Sequence, residues 1–209
     1  MGKIFNYDSK FFAGMTKVSD TIIINILFVI CSIPIVTIGA SITALYSVSM
    51  KITRDEDIYA AKEFIKQFKQ NFKQSTIIWI ILLVIGLFIG LDFYLCSLMS
   101  DNTISMIFKF IFTIVSVVLA FILIYVFPLT ARFENSIKNT LMNAVLMSIK
   151  HLPYTLIMLV LTLMPLGAFV LFGKYWGQIV FLDTCISFGV VAYINSMLLN
   201  KIFNGYIED

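Results

Sequence analysis

The sequence predicts an all-α protein that crosses a membrane about five times. Of its 209 residues, 60% are hydrophobic and only 13% charged, and the mean hydropathy is +0.96. That leaves too little polar surface for a soluble shell. Several apolar runs also reach the roughly 18 residues that a helix needs to cross a bilayer. A third observation is local: the first long apolar run is interrupted by Pro34 and then by Gly39. The chain therefore reads as a single membrane domain over residues 1–209, in a multi-pass protein of the cell (cytoplasmic) membrane.

In chain order, residues 1–18 repeat every seven positions. Ile4, Phe11 and Val18 keep this interval, and so do Lys3, Lys10 and Lys17. The pattern predicts an amphipathic helix lying in the membrane interface. Asp8 and Asp20 argue against a signal peptide, although the small Ala40 after an apolar run keeps cleavage as an alternative.

The first span is expected over about 20–38. Residues 21–33 alone reach only about 20 Å at about 1.5 Å per residue, so the helix has to continue through Pro34 to cover a core of about 30 Å. Pro34 removes one N–H and crowds the preceding turn. In hydrocarbon the freed backbone groups need partners, and Thr37, Ser41 and Thr43 offer hydroxyls. Gly39 suits either a positive φ or a close backbone approach. Pro34, Thr37 and Gly39 thus mark either a kinked span end or a broken helix that builds a site.

A cytoplasmic helical segment is expected over 41–73. It opens with a short helix to about residue 53, turns at Asp55-Glu56-Asp57, and continues as a strongly patterned helix. Phe64, Phe68 and Phe72 fall on one stripe, while Lys62, Lys66, Lys69 and Lys73 fall on another. This suits a helix on the inner leaflet with phenylalanines in lipid and lysines at phosphates, or one docked to a partner. Four further spans are expected over about 75–98, 105–127, 152–172 and 179–200. The links at Ser100–Asn102 and Gly173–Gly177 are short, which predicts two antiparallel hairpins.

Within this layout, Asn25-Ile26-Leu27-Phe28, Cys31 to Ala40 and Thr43-Ala44-Leu45-Tyr46 resemble the signature of the DUF624 family of YesL-like bacterial membrane proteins. The run ending Asn71-Phe72-Lys73 and the stretch Phe127 to Phe133 extend the resemblance over nearly the whole chain. The resemblance carries no established biochemical activity over to this chain. Because such proteins occur beside genes for carbohydrate-uptake ABC transporters, it implies a setting in carbohydrate transport, with permease subunits as possible partners.

Lysine and arginine counts orient the chain. Residues 51–73 hold six, residues 128–151 hold three and the tail holds Lys201, whereas the opposite links hold only Lys109 and Lys174. The first group is assigned to the cytoplasm. Five spans then leave the N-terminus outside, which puts Lys3, Lys10 and Lys17 on the wrong side. A re-entrant segment at 21–50 is the alternative that removes the conflict. A weak internal repeat pairs Ser32-Ile33-Pro34 with Val126-Phe127-Pro128 as two span ends, each followed by an amphipathic stretch.

Little in the chain suggests catalysis. Cys31, Cys96 and Cys185 are dispersed, His151 is the single histidine, and there is no phosphate loop or zinc motif. No catalytic residue, cofactor or metal is assigned, and the small net charge of +3 does not suggest nucleic acid. A Cys96–Cys185 bridge is one possible pairing. Asp92 and Asp183 are costly within spans, and with Trp176, Tyr94 and Tyr175 at similar height they form a possible outer-side ligand site. Arg132 and Glu134, with Arg54, form a possible inner docking site. The reading is a non-enzymatic accessory subunit of a carbohydrate uptake system, partnered by the bilayer and by permease subunits. The alternative is a small stand-alone transporter or channel with a broken-helix site.

Overall fold

The computed structural model describes residues 10–98, 103–171 and 173–206, with their side chains except those of 10, 11, 103, 104, 166, 168–171, 173 and 183. Its centre is the helix α2, Ile38–Thr53. Twelve of its 16 residues are buried, so it belongs to the interior rather than to a cytoplasmic surface. It touches α1 (Lys10–Ser32), α3 (Ala60–Leu98), α4 (Thr103–Arg132) and α8 (Phe188–Asn204). Its hydroxyls permit this burial. Ser41 Oγ donates to the Thr37 carbonyl at 3.0 Å and Thr43 Oγ1 to that of Gly39 at 2.9 Å, so those polar groups need no water.

Helix α1 merges the expected interfacial helix and first span. The hydroxyls of Thr16, Ser19 and Thr21 bond back to the carbonyls of Phe12, Met15 and Lys17, and nothing breaks the helix before Ser32. The stretch 1–9, with Lys3, Ile4 and Phe5, lies outside the described residues. After Ser32 the chain turns through Pro34 and a short 3₁₀ turn, Ile35–Thr37, into α2. The far end of α2 closes at Asp55, in the left-handed region with φ 57°, and the Asp55 carboxylate pairs with Lys17 Nζ. α1 and α2 are therefore an antiparallel hairpin with both ends on one side of the molecule. Lys17 thus lies beside the basic segment 51–73 and not across the membrane from it.

Helix α3 runs unbroken for 39 residues, about 58 Å. The expected amphipathic helix and second span are one rod. The first half of this rod stands against α2. Phe64 is fully buried and Phe68 packs against the same core, while Phe72 is 39% exposed. Phe64 and Phe68 therefore meet protein, while Phe72 is left on the outer surface. Lys62, Lys66, Lys69 and Lys73 are exposed.

Helix α4 continues past Pro128 to Arg132, so Pro34 breaks its helix and Pro128 does not. The proposed repeat is not matched in shape. A Ser136 cap, accepting from the Asn139 N–H at 3.4 Å, starts α5 (Ile137–Lys150). α5 meets α6 (Leu152–Leu171) at 104°. Then α7 (Trp176–Leu182), a π-helical turn at Asp183–Ser187 and α8 complete the chain. Among the described residues, five helical stretches are long and apolar enough to span a membrane, and α5 with α6 form a bent sixth candidate. The five include Phe12–Ser32 and Ile35–Thr53 separately. Cys31, Cys96 and Cys185 are free thiols, so Cys96 and Cys185 form no bridge.

Candidate functional site

Three places carry the polar chemistry of the interior. The first is the hairpin tip. Thr37 Oγ1 donates to the carbonyls of Cys31 at 2.6 Å and Pro34 at 2.8 Å. Trp79 Nε1, from α3, donates to the Ile35 carbonyl at 2.7 Å. The groups freed at the break are thus met by protein. Gly39 lies where α2 crosses α3: a Cβ there would stand 2.5 Å from Trp79 Cβ and 2.6 Å from the Ser75 carbonyl oxygen. Its φ is not positive, so the close approach is what requires glycine. Thr43 and Ser75 hydroxyls meet at 2.8 Å just beside it. This crossing is well short of the end of α3, which runs a further 28 Å or so to Leu98.

The second place is the clasp between α1 and the π turn. Fully buried Asn25 accepts from the Gly189 N–H at 2.7 Å and donates to the Thr184 carbonyl at 2.7 Å. A Cβ on Gly189 would stand 2.8 Å from the Thr21 carbonyl oxygen. Asn195 donates to Tyr46 Oη at 3.2 Å and Thr162 Oγ1 at 3.1 Å. Asn200 donates to the Met50 carbonyl at 3.0 Å and Thr53 Oγ1 at 2.7 Å. These three amides stitch the hairpin to α8. Sequence reasoning assigned none of them a role, although Asn25 opens one of the stretches that carry the family resemblance. The available signal was an amide inside an apolar helix, where such groups bond across helices.

The third place is an open polar cleft of about 550 Å³ on the side where the hairpin ends. Lys51 and Arg54 come from the end of α2, Gln67, Gln70, Asn71 and Gln74 from α3, and Arg132, Glu134 and Asn135 from the end of α4 and beyond. Lys51 is held by Glu63 at 2.6 Å. Arg54 is held by Glu56 at 2.7 Å and by Asn200 Oδ1 at 3.0 Å. Arg132, half-buried, has no ion pair among the described residues.

The other expected residues are dispersed. Asp92 is half-buried on the distal half of α3, which packs on α4 through Phe93 and Phe112. Trp176 opens α7 and is 68% exposed. The Asp183 backbone starts the π turn, and its side chain lies outside the described residues. Tyr94 and Tyr175 are exposed. His151 sits at the α5–α6 corner, 3.0 Å from Tyr206 Oη, with Lys150 over the Tyr206 ring. Burial, and then the neighbouring Lys150 charge, hold its imidazole below the ordinary value. Among the described residues no group of three His, Cys, Asp or Glu side chains is arranged to hold a metal.

Fold and site together define a class: an all-α polytopic membrane protein built round a buried helical hairpin, with a polar cleft at the hairpin's open end. Residues 21–93 match the family model described as "Protein of unknown function, DUF624", so this stretch of the chain is similar to that family. The matched stretch takes in the second half of α1, all of α2 and α3 as far as Phe93. No curated protein and no solved structure matches the chain.

Proposed function

We propose that the protein is a non-enzymatic membrane subunit that works by docking a partner on its basic side, as an accessory of a bacterial carbohydrate-uptake ABC system. The observation that carries this reading is the state of α3. Phe64 and Phe68 are turned onto the core while Lys62, Lys66, Lys69 and Lys73 face outward, so the first half of α3 presents a basic column beside an open cleft. A charged column in this position suits a protein partner of opposite charge. The positive-inside bias assigns this side to the cytoplasm and the protein to the cell membrane. The resemblance to YesL-like proteins points to permease subunits as the partner. Capture in mild detergent followed by mass spectrometry tests it. The intact protein is expected to retain permease subunits, and Lys66→Glu with Lys69→Glu is expected to lose them while keeping its thermal stability. Equal capture by the double variant, or no permease captured, contradicts the reading.

A second reading, a stand-alone transporter, is favoured by one feature. An apolar cavity of about 340 Å³ lies by the hairpin tip, lined by Phe28, Tyr46, Trp79, Phe127, Thr162 and Phe188 among others. Sugar flux into liposomes containing only this protein is the result that would select it.

A further inference from the structure

We propose that the polar cleft binds a phosphate ester that also carries hydroxyl groups, with its phosphate between Arg132 and Arg54. Arg132, from the end of α4, and Arg54, from the end of α2, line the same cleft, and Glu56 is already committed to Arg54. Two guanidinium groups thus line one cleft, and the carboxylate beside Arg54 is already paired. Glu134 lines the same cleft but is exposed and forms no ion pair with Arg132. All five Arg132 donors are left for a ligand, and a fork of that kind matches phosphate oxygens in pairs.

The amides around it are oriented. Gln74 Nε2 donates to the Asn135 carbonyl at 2.8 Å and to Thr140 Oγ1 at 3.5 Å, and Asn71 Nδ2 donates to the Gln67 carbonyl at 3.1 Å and to Gln67 Oε1 at 3.3 Å. Each therefore spends both its donors on the protein and keeps its oxygen as an acceptor. Acceptors beside an arginine pair suit a ligand that is anionic at one end and bears hydroxyls at the other. The cleft volume, about 550 Å³, is within the range of small-molecule sites. A glycerol phosphate unit has this chemistry, either as a free ester or as the headgroup of a phospholipid. This inference goes beyond the docking reading and does not use the lysine column.

The test is a titration of the purified full-length protein with glycerol 3-phosphate, against glycerol as control, by calorimetry and thermal shift. A parallel arm compares nanodiscs of phosphatidylglycerol with nanodiscs of phosphatidylcholine. Saturable binding of the free ester identifies a soluble ligand, whereas selective stabilisation by phosphatidylglycerol alone identifies a lipid headgroup. Either supports the site provided that Arg132→Gln weakens it at least about tenfold, the loss expected for charge-assisted hydrogen bonds. Arg132→Lys is expected to retain part of the affinity, and Glu134→Gln to raise it by removing a like charge. Both bear on binding separately from folding, because the unliganded melting temperatures of the variants are read in the same experiment. Binding of neither probe, or equal binding by Arg132→Gln, overturns the proposal. If Arg132→Gln also collapses the unliganded melting temperature, unchanged affinity in both Arg132→Lys and Glu134→Gln overturns the proposal.

Discussion

Gly39→Leu is expected to destabilise the protein by about 3 kcal/mol or more, the upper range for forcing volume into a packed interior. The reason is that the first added carbon already collides: it would lie 2.5 Å from Trp79 Cβ and 2.6 Å from a backbone oxygen of α3. Neither is the free end of a flexible side chain. Relief requires α2 and α3 to separate, which would pull Trp79 Nε1 off the Ile35 carbonyl and part Thr43 from Ser75. Gly39→Ala should therefore also be clearly destabilised. Gly90→Leu, on the same α3 but with nothing within 4 Å, should be near neutral. Thermal unfolding of the three variants in one detergent checks the order.

Asn25→Leu is expected to cost about 2–4 kcal/mol, because it leaves the Gly189 N–H and the Thr184 carbonyl without their partner in a dry interior. The side chain is fully buried, so water does not replace it. Asn25→Asp separates the two bonds. A carboxylate still accepts from the Gly189 N–H but cannot donate to the Thr184 carbonyl, and it introduces a charge at depth. Both variants should melt well below the parent. If Asn25→Leu melts with the parent, the π turn is held by other contacts and the clasp is incidental.

Some of this was legible in the residues and some was not, for identifiable reasons. Pro34 and Gly39 mark the hairpin tip because each has a backbone property that no neighbour shares. The stripe of Phe64, Phe68 and Phe72 was legible as one face, yet periodicity is the same whether that face meets lipid or protein. The partner here is α2, whose serines and threonines made it resemble a surface helix. Hydroxyls that bond back to their own helix are polar in sequence and nearly apolar in effect. The unbroken passage through residues 18–20 was hidden for the same reason, since Ser19 and Thr21 satisfy themselves locally. The π turn has no side-chain signature, and Asn25, which holds it, is 159 residues from the Thr184 it bonds. The cleft drew on Arg54 and Arg132, which the sequence did single out, but their approach depends on how α2 and α4 end. Asp92 and Trp176 were grouped by inferred height alone, and height along a span does not bring two helices together.

The central claim is that α1 and α2 form a hairpin with both ends on one side. Single cysteines placed at Gly14, Gln70 and Gly177 in a cysteine-free background test it directly, with an impermeant thiol reagent applied to intact cells. The account predicts that Gly14→Cys and Gln70→Cys are both protected until the membrane is opened, while Gly177→Cys is labelled at once. Labelling at position 14 in intact cells with protection at position 70 would put the two ends of the hairpin on opposite sides, and would contradict the account.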